Sequence, residues 1–160
     1  MLQEFLYKHD INLTLLQEVT NTKITMIRRN TPYINMGTQG RGTAILAKDS
    51  YLLTNIQRLP TGRGISAHFN GIRIINIYAP SCSEKRRERE EFYNGDVTRL
   101  RMHSSDNMVL AGDFNCVLKP SDSTGSFNIS RALTRLVKAL DLVDLWDVNQ
   151  GRMIYTHYMA

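Results

Sequence analysis

Ile65-Ser66-Ala67-His68-Phe69-Asn70-Gly71-Ile72-Arg73-Ile74-Ile75-Asn76-Ile77-Tyr78-Ala79-Pro80 is the stretch that decides the fold. Two β-rich runs, 65–69 and 72–78, flank Asn70-Gly71. Asn-Gly accepts the positive φ angles of a type I′ turn, so an antiparallel hairpin is predicted here. Pro80 ends it, because proline has no N–H to donate to a ladder.

Upstream, Leu2, Phe5 and Leu6 share a helical face that stops at Asp10. Ile11 to Leu16 alternates as a strand and runs into Gln17-Glu18. Thr20 or Asn21 can cap a short helix carrying Ile24 and Ile27. Gly40-Arg41-Gly42 introduces a strand at Thr43 to Ala47, and Leu52 to Leu59 reads as a further one. Downstream, Ser81 and Glu84 have capping-box spacing. The helix they introduce puts Phe92, Tyr93, Val97 and Leu100 inside. Met108 to Ala111 is predicted to be a short buried strand ending at Gly112-Asp113. Ile129, Leu133, Leu136, Val137 and Leu140 mark an amphipathic helix, and Met153 to Tyr158 the start of a final strand. Hairpins mixed with strand–helix alternation predict an α/β domain with mixed sheets. A purely parallel doubly wound sheet would not contain the Asn70-Gly71 hairpin.

The 160 residues, 42% hydrophobic and 22% charged, suit one domain with a sizeable core and exclude disorder. Lys plus Arg exceed Asp plus Glu by 20 to 15, and the resulting +5 favours polyanionic partners. Cys82 and Cys116 form no C-x-x-C pair and read as free thiols of a reducing compartment. No run approaches the length of a membrane span. Lys8, His9 and Asp10 interrupt the start too early for a signal peptide. The expectation is a nuclear or cytoplasmic protein with no membrane partner.

Three apolar strands end in polar residues. Leu15-Leu16 ends in Gln17-Glu18, Ile74 to Ile77 ends in Tyr78-Ala79-Pro80, and Val109-Leu110-Ala111 ends in Gly112-Asp113-Phe114-Asn115. Strand ends at one sheet edge bring distant residues together and hold them rigidly. A carboxylate from one strand and Asp-x-Asn from another form a hard, oxygen-rich site of the kind Mg²⁺ or Mn²⁺ prefers. If residues 113–115 are extended, Asp113 and Asn115 face one reacting centre. Singly, each piece has an ordinary reading. Glu18 fits a solvated strand-end carboxylate, Tyr78 a core-edge tyrosine, and Gly112-Asp113 a turn. Their joint occurrence carries the case. The run from Glu84 to Glu91 reads as a solvated helix face with Arg86/Glu90 and Arg87/Glu91 pairs. Arg41, Arg63, Lys119 and Arg131 fit phosphate contacts and plain surface equally well.

The order Leu15-Leu16-Gln17-Glu18, Asn76-Ile77-Tyr78-Ala79-Pro80, Gly112-Asp113-Phe114-Asn115 resembles the successive motifs of the endonuclease/exonuclease/phosphatase superfamily. It is most similar there to the apurinic-type endonuclease domain of non-LTR retrotransposons. Arg41 to Ile45, Leu142 to Trp146 and Tyr155-Thr156-His157-Tyr158 extend the resemblance over essentially the whole chain. It implies a four-layer α/β sandwich of two packed mixed β-sheets flanked by helices. It also implies Mg²⁺-dependent phosphodiester hydrolysis (with Mn²⁺ as substitute), DNA as substrate, and fusion to a reverse transcriptase in a full element. By position, Glu18 is the metal ligand. Asp113 and Asn115 prepare the attacking water and contact phosphate, and Tyr78 stabilises charge near the scissile phosphate. Thr156 hydrogen-bonds a phosphate or supports the site from behind. Ser81 touches phosphate or caps the following helix.

The family pattern also has an Asn-bearing first strand and a closing Ser-Asp-His, neither of which occurs here. The histidines are His9, His68, His103 and His157. The expectation is therefore a single domain, residues 1–160, cut at both ends and with little or no activity alone. A decayed remnant that binds nucleic acid weakly is the alternative, and an inositol-phosphate or sphingolipid phosphatase of the same fold ranks below it.

Overall fold

The computed structural model describes residues 2–20, 27–38, 40–81, 83–100, 102–103, 106–122 and 129–148. In chain order the elements are α1 (Leu2–Lys8), β1 (Leu13–Val19), β2 (Asn30–Met36), β3 (Gly42–Lys48), β4 (Thr54–Arg58), β5 (Gly64–Phe69), β6 (Ile72–Tyr78), α2 (Arg86–Glu91), β7 (Met108–Asp113), α3 (Arg131–Ala139) and α4 (Leu145–Val148). The helix α2 continues through a π turn, Phe92–Asp96, into a 3₁₀ turn, Val97–Leu100.

The predicted hairpin is β5–β6, with Phe69 opposite Ile72. Asn70 and Gly71 both take positive φ, 49° and 78°, as a type I′ turn requires. One sheet has the order β1-β3-β2 and is antiparallel throughout. The other, β4-β5-β6-β7, is mixed, because β7 joins β6 in parallel after the helical crossover.

Period-2 alternation sorts the core into layers. Ile45 and Ala47 of β3 meet Ile65, Ala67 and Ile74 between the sheets. Their neighbours Ala44 and Leu46 point the other way, under Leu6 of α1. Ile75 and Ile77 face Phe92, Tyr93, Val97 and Leu100 of the crossover and Leu133 and Leu136 of α3. Helix, sheet, sheet and helix make the four-layer α/β sandwich. None of the described helices is long and apolar enough to cross a membrane.

Several local expectations need correction. β1 does not stop at Leu16 but runs through Gln17 and Glu18 to Val19. The strand expected at Leu52 to Leu59 is only Thr54–Arg58, with Leu52 exposed. β2 is new: Pro32 hides it in the sequence, yet an edge strand tolerates proline. β7 is half-buried to exposed rather than buried, and it is the outermost of the described strands in its sheet. Ile129 lies outside its helix, bridging Val117, and Ser130 caps α3 by accepting the Leu133 N–H. The predicted capping box at Ser81 does not form: α2 starts at Arg86 after a 3₁₀ turn, and no side chain caps it. In the charged run, Arg87 pairs with Glu91 as expected. Arg89 is instead buried, donating to the Pro80 carbonyl, and Glu90 accepts the Ala132 N–H at the start of α3. The helix expected after Asn21, Cys82 and the strand expected at Met153 to Tyr158 lie outside the described residues.

Gly112 shows how tightly β7 seats against β6. Its φ is +133°, and a Cβ would lie 2.0 Å from the Ile77 carbonyl oxygen. Gly71 has open space around the same atom. Gly112→Ala is expected to destabilise by more than about 3 kcal/mol, and Gly71→Ala by only about 1–2 kcal/mol. Urea denaturation of both variants checks the contrast.

Candidate active site

The ends of β1, β6 and β7 and the starts of β3 and β5 meet at one end of the sandwich. Glu18 arrives there through a bulge. Leu16 pairs with Ala44, but Val19, not Glu18, pairs with Gly42, so β1 carries one extra residue. Glu18 sits in this bulge with φ +53°, a conformation sparse for residues other than glycine. Bulges re-aim side chains at sheet edges, and this one turns the Glu18 carboxylate to Tyr78, whose hydroxyl donates to Oε1. Asn76 grips the bulge from the other sheet. Its Nδ2 donates to the carbonyls of Leu16 and Ala44, each at 2.9 Å, and its Oδ1 accepts from Gln17 Nε2 at 2.6 Å.

Tyr78 and Asp113 are the last residues of β6 and β7 and pair in parallel register. The Ala79 N–H donates to the Asp113 carbonyl at 2.8 Å, so the chains stay together past the strands. Asn115 does not continue an extended chain, and the alternation argument for it fails. Its φ is +49°, its N–H donates to Asp113 Oδ1 at 3.0 Å, and its Nδ2 donates to the Ala79 carbonyl at 2.9 Å. A turn closed by the Asp113 carboxylate, not strand periodicity, sets these two side chains. Ser81 hydrogen-bonds the Tyr78 side chain. Thr156 lies outside the described residues.

Two arginines join the site. Arg63 stacks over the Tyr78 ring, its guanidinium carbon 5.0 Å from the centroid, and its Nη1 donates to the Tyr78 carbonyl at 3.3 Å. Arg41 lies 3.8 Å from Glu18 Oε2. Both were legible. Continuing the Asn70-Gly71 hairpin register places residue 63 opposite residue 78, and the Tyr78 N–H donates to the Arg63 carbonyl at 2.8 Å. Arg41 precedes β3, whose start pairs with the end of β1. Lys119, by contrast, pairs with Asp147.

Burial first, then the hydrogen bond to Glu18, raises the Tyr78 phenol above its ordinary pKa, while Ser81 and Arg63 oppose this. Behind the site, burial pushes the Tyr93 phenol far higher, and Cys116 is also raised by burial. Tyr93 donates to the Phe114 carbonyl at 2.6 Å, bracing the Asp113–Asn115 turn from beneath.

The donors suit a hard divalent ion. Glu18 is half exposed, Asp113 is exposed, and both are oxygen ligands. No group of three or more His, Cys, Asp or Glu gathers among the described residues. Such a sparse set fits Mg²⁺, which commonly takes one or two carboxylates and keeps several waters. A cavity of about 570 Å³ lined by Tyr7, Arg28, Arg29 and Lys48 opens at the other end of the first sheet, away from these groups.

No protein-family model matches the chain, and no curated protein matches it. Solved structures do. An AP endonuclease from Archaeoglobus fulgidus superposes with TM-score 0.76 at 20% identity over 99% of this chain and 72% of that one. The 3'-5' exonuclease NExo from Neisseria meningitidis gives 0.64 at 19% over 87% and 63%, and is also solved as a 3' phosphatase bound to a product DNA hairpin. Humanized D. rerio TDP2 gives 0.59 at 18% over 78% and 57%. The chain thus spans less than two thirds of the last two. At these identities the likeness establishes the fold, an α/β sandwich of the AP-endonuclease type.

The raised phenols set a pH dependence. In the unfolded chain tyrosine titrates at its ordinary value of 10.0. Above that pH the unfolded state binds fewer protons than the folded state, so stability falls as pH rises, and it is fully present below. Tyr93→Phe is expected to destabilise by about 1 kcal/mol at neutral pH yet flatten the alkaline decline. Urea midpoints at pH 8 and near pH 11 check both.

Proposed function

We propose that the chain carries the metal-binding side of a phosphodiester hydrolase site and acts on DNA, as the nicking endonuclease of a non-LTR retrotransposon that accompanies a reverse transcriptase. The carrying observation is that Glu18, Tyr78, Asp113 and Asn115, from three strand ends of two sheets, converge on one exposed edge. The neighbours' own chemistry supports it: an AP endonuclease, a 3'-5' exonuclease and a complex with a DNA product. The motif series described above supports the retrotransposon assignment. The retrotransposon assignment carries with it the proposal of a nuclear or cytoplasmic location.

Glu18 would hold Mg²⁺ or Mn²⁺, with Asp113 facing the same edge. Held there, such an ion would supply positive charge against that developing on the phosphoryl oxygens. Asp113, through the carboxylate oxygen not committed to the Asn115 N–H, would orient the attacking water and take its proton as the new P–O bond forms, while the P–O3′ bond breaks and the departing 3′ oxygen takes a proton from solvent. Asn115, pinned to Ala79, orients its carboxamide toward the phosphate. The Tyr78 phenol stays protonated at neutral pH; with Glu18 on the ion, its one hydrogen, now given to Glu18, would turn to the developing oxyanion. Ser81 holds that phenol, and Thr156 is assigned a supporting phosphate contact. Arg41 and Arg63 add positive charge for the DNA backbone.

A second reading, a nucleic-acid-binding chain without turnover, has its own observation. Among the described histidines, His68 and His103 lie at or beyond the far ends of β5 and β7. Five residues of strand separate that end of β6 from Tyr78, roughly 16 Å. His9 follows α1 and packs on Phe5.

The reading expects saturable Mn²⁺ binding that Glu18→Gln weakens at least about 10-fold. This chain alone is expected to nick supercoiled plasmid little or not at all, and a measurable metal-dependent rate abolished by Asp113→Ala overturns that expectation. Salt-dependent DNA binding without saturable metal binding selects the second reading. Absence of metal binding, or nicking indifferent to Asp113→Ala, overturns the first.

A further inference from the structure

We propose that Asn76, gripping Gln17 across the sheet interface, is the positioning residue that sets where Glu18 presents its carboxylate to the divalent ion; this rests on the metal-site reading above.

Asn76 is completely buried, and every hydrogen bond of its carboxamide goes to the bulge region of the opposite sheet. Both Nδ2 bonds reach carbonyls flanking the irregularity, Leu16 and its partner Ala44. The Oδ1 bond takes Gln17, the residue immediately before Glu18. A staple needed only to hold the sheets together could grip anywhere. Asn35, another buried amide between the sheets, donates to the carbonyls of Leu59 and Gly64, which flank the turn between β4 and β5. Asn76 grips the one place where β1 departs from regular pairing.

That place needs outside support. Glu18 holds a positive φ, and a non-glycine residue relaxes from it unless its surroundings over-determine it. Glu18 is itself half exposed, so its own side chain supplies little constraint. Asn76 stands two residues before Tyr78 on β6, so one rigid strand carries both the grip on the bulge and the phenol that receives Glu18. Loss of the carboxamide frees the bulge to return to regular alternation, which moves the carboxylate off the edge. Residues that orient a metal ligand through hydrogen bonds act in this way on affinity.

The test uses the 160-residue chain with Mn²⁺ as probe. Isothermal titration is expected to show Asn76→Ala weakening Mn²⁺ binding about 10-fold. Gln17→Met, which keeps the volume and removes the donor, should give a smaller loss. Neither change should add to Glu18→Gln, because a positioning residue acts only through the group it positions. The three-bond HN–Hα coupling and Cα shift of Glu18 report its φ directly. Both variants should lose the left-handed signature. If Asn76→Ala does not fold, Gln17→Met decides. Folded variants with unchanged Mn²⁺ affinity, or a loss that adds fully to Glu18→Gln, overturn the proposal. If the unaltered chain binds no Mn²⁺, the metal-site reading falls. The Glu18 signature then decides the positioning: its persistence in both variants overturns it, and its loss supports it.

Discussion

A carboxamide buried between two apolar sheets must be hydrogen-bonded, and Asn76 meets that demand in only one relative placement of the sheets. Sliding β6 by one residue would turn Asn76 into the helix-facing core and bring Ile77 against the bulge. The carbonyls of Leu16 and Ala44 would lose the amide that now reaches them, and each group left unsatisfied costs about 1–3 kcal/mol. Leucine at position 76 would bury more apolar surface, worth roughly 2 kcal/mol. It would also leave the bulge unheld. The polar choice fixes register at the expense of some hydrophobic gain, and the meeting of Tyr78 with Glu18 depends on that register.

The sheet interface is accordingly graded. At one end Ile45, Ala47, Leu53, Ile65, Ala67 and Ile74 pack with no polar partner among them, and they supply the burial that holds the sheets together. At the other end Asn35, Thr43, Gln17 and Asn76 form directional bonds. Asn35 and Thr43 both reach the segment from Leu59 to Gly64, which carries Arg63. The site-bearing loops are therefore pinned by hydrogen bonds from the facing sheet, while apolar contacts further along carry the stability. Dispersion and hydrophobic burial are nearly indifferent to small slides, whereas hydrogen bonds are not, so placing the polar groups beside the chemistry puts positional control where it is needed.

The hairpin was legible because its turn chemistry is local: Asn70-Gly71 fixes both the reversal and the pairing of every residue from 64 to 77. The core faces were legible because alternation in 42–48 and 72–78 follows the pleat. The convergence of Glu18, Tyr78 and Asp113 followed from three strands ending in polar residues. Three things did not follow. The bulge at Glu18 has no signature in Leu16-Gln17-Glu18-Val19, since its partner is Asn76, some 60 residues away. The role of Ser81 is hidden for a different reason: its capping spacing to Glu84 is good, yet it turns back to Tyr78, only three residues before it. Asp113-Phe114-Asn115 looked like strand because alternation was extended past its end. The carboxylate's bond to the Asn115 N–H favours a turn there, and local side-chain bonds of this kind compete with strand geometry.

The groups of the site are not held equally, and the difference follows from which element carries each. Tyr78 ends a central strand, so its neighbours on both sides can reach it: Glu18 and Ser81 meet its hydroxyl, and Arg63 covers its ring and bonds its carbonyl. Asp113 ends the outermost of the described strands in its sheet, is exposed, and is tied through Oδ1 to its own turn. Arg41 faces Glu18 with two thirds of its side chain in water, a geometry in which an ion pair contributes about 0–1 kcal/mol and yields readily to a stronger charge. A fixed phenol beside carboxylates that keep solvent contact, with Glu18 Oε2 only loosely paired to Arg41, suits the hydrated cation proposed for this site. The rigid group presents a defined hydrogen bond, and the looser oxygens adjust to the ion's own shell of water.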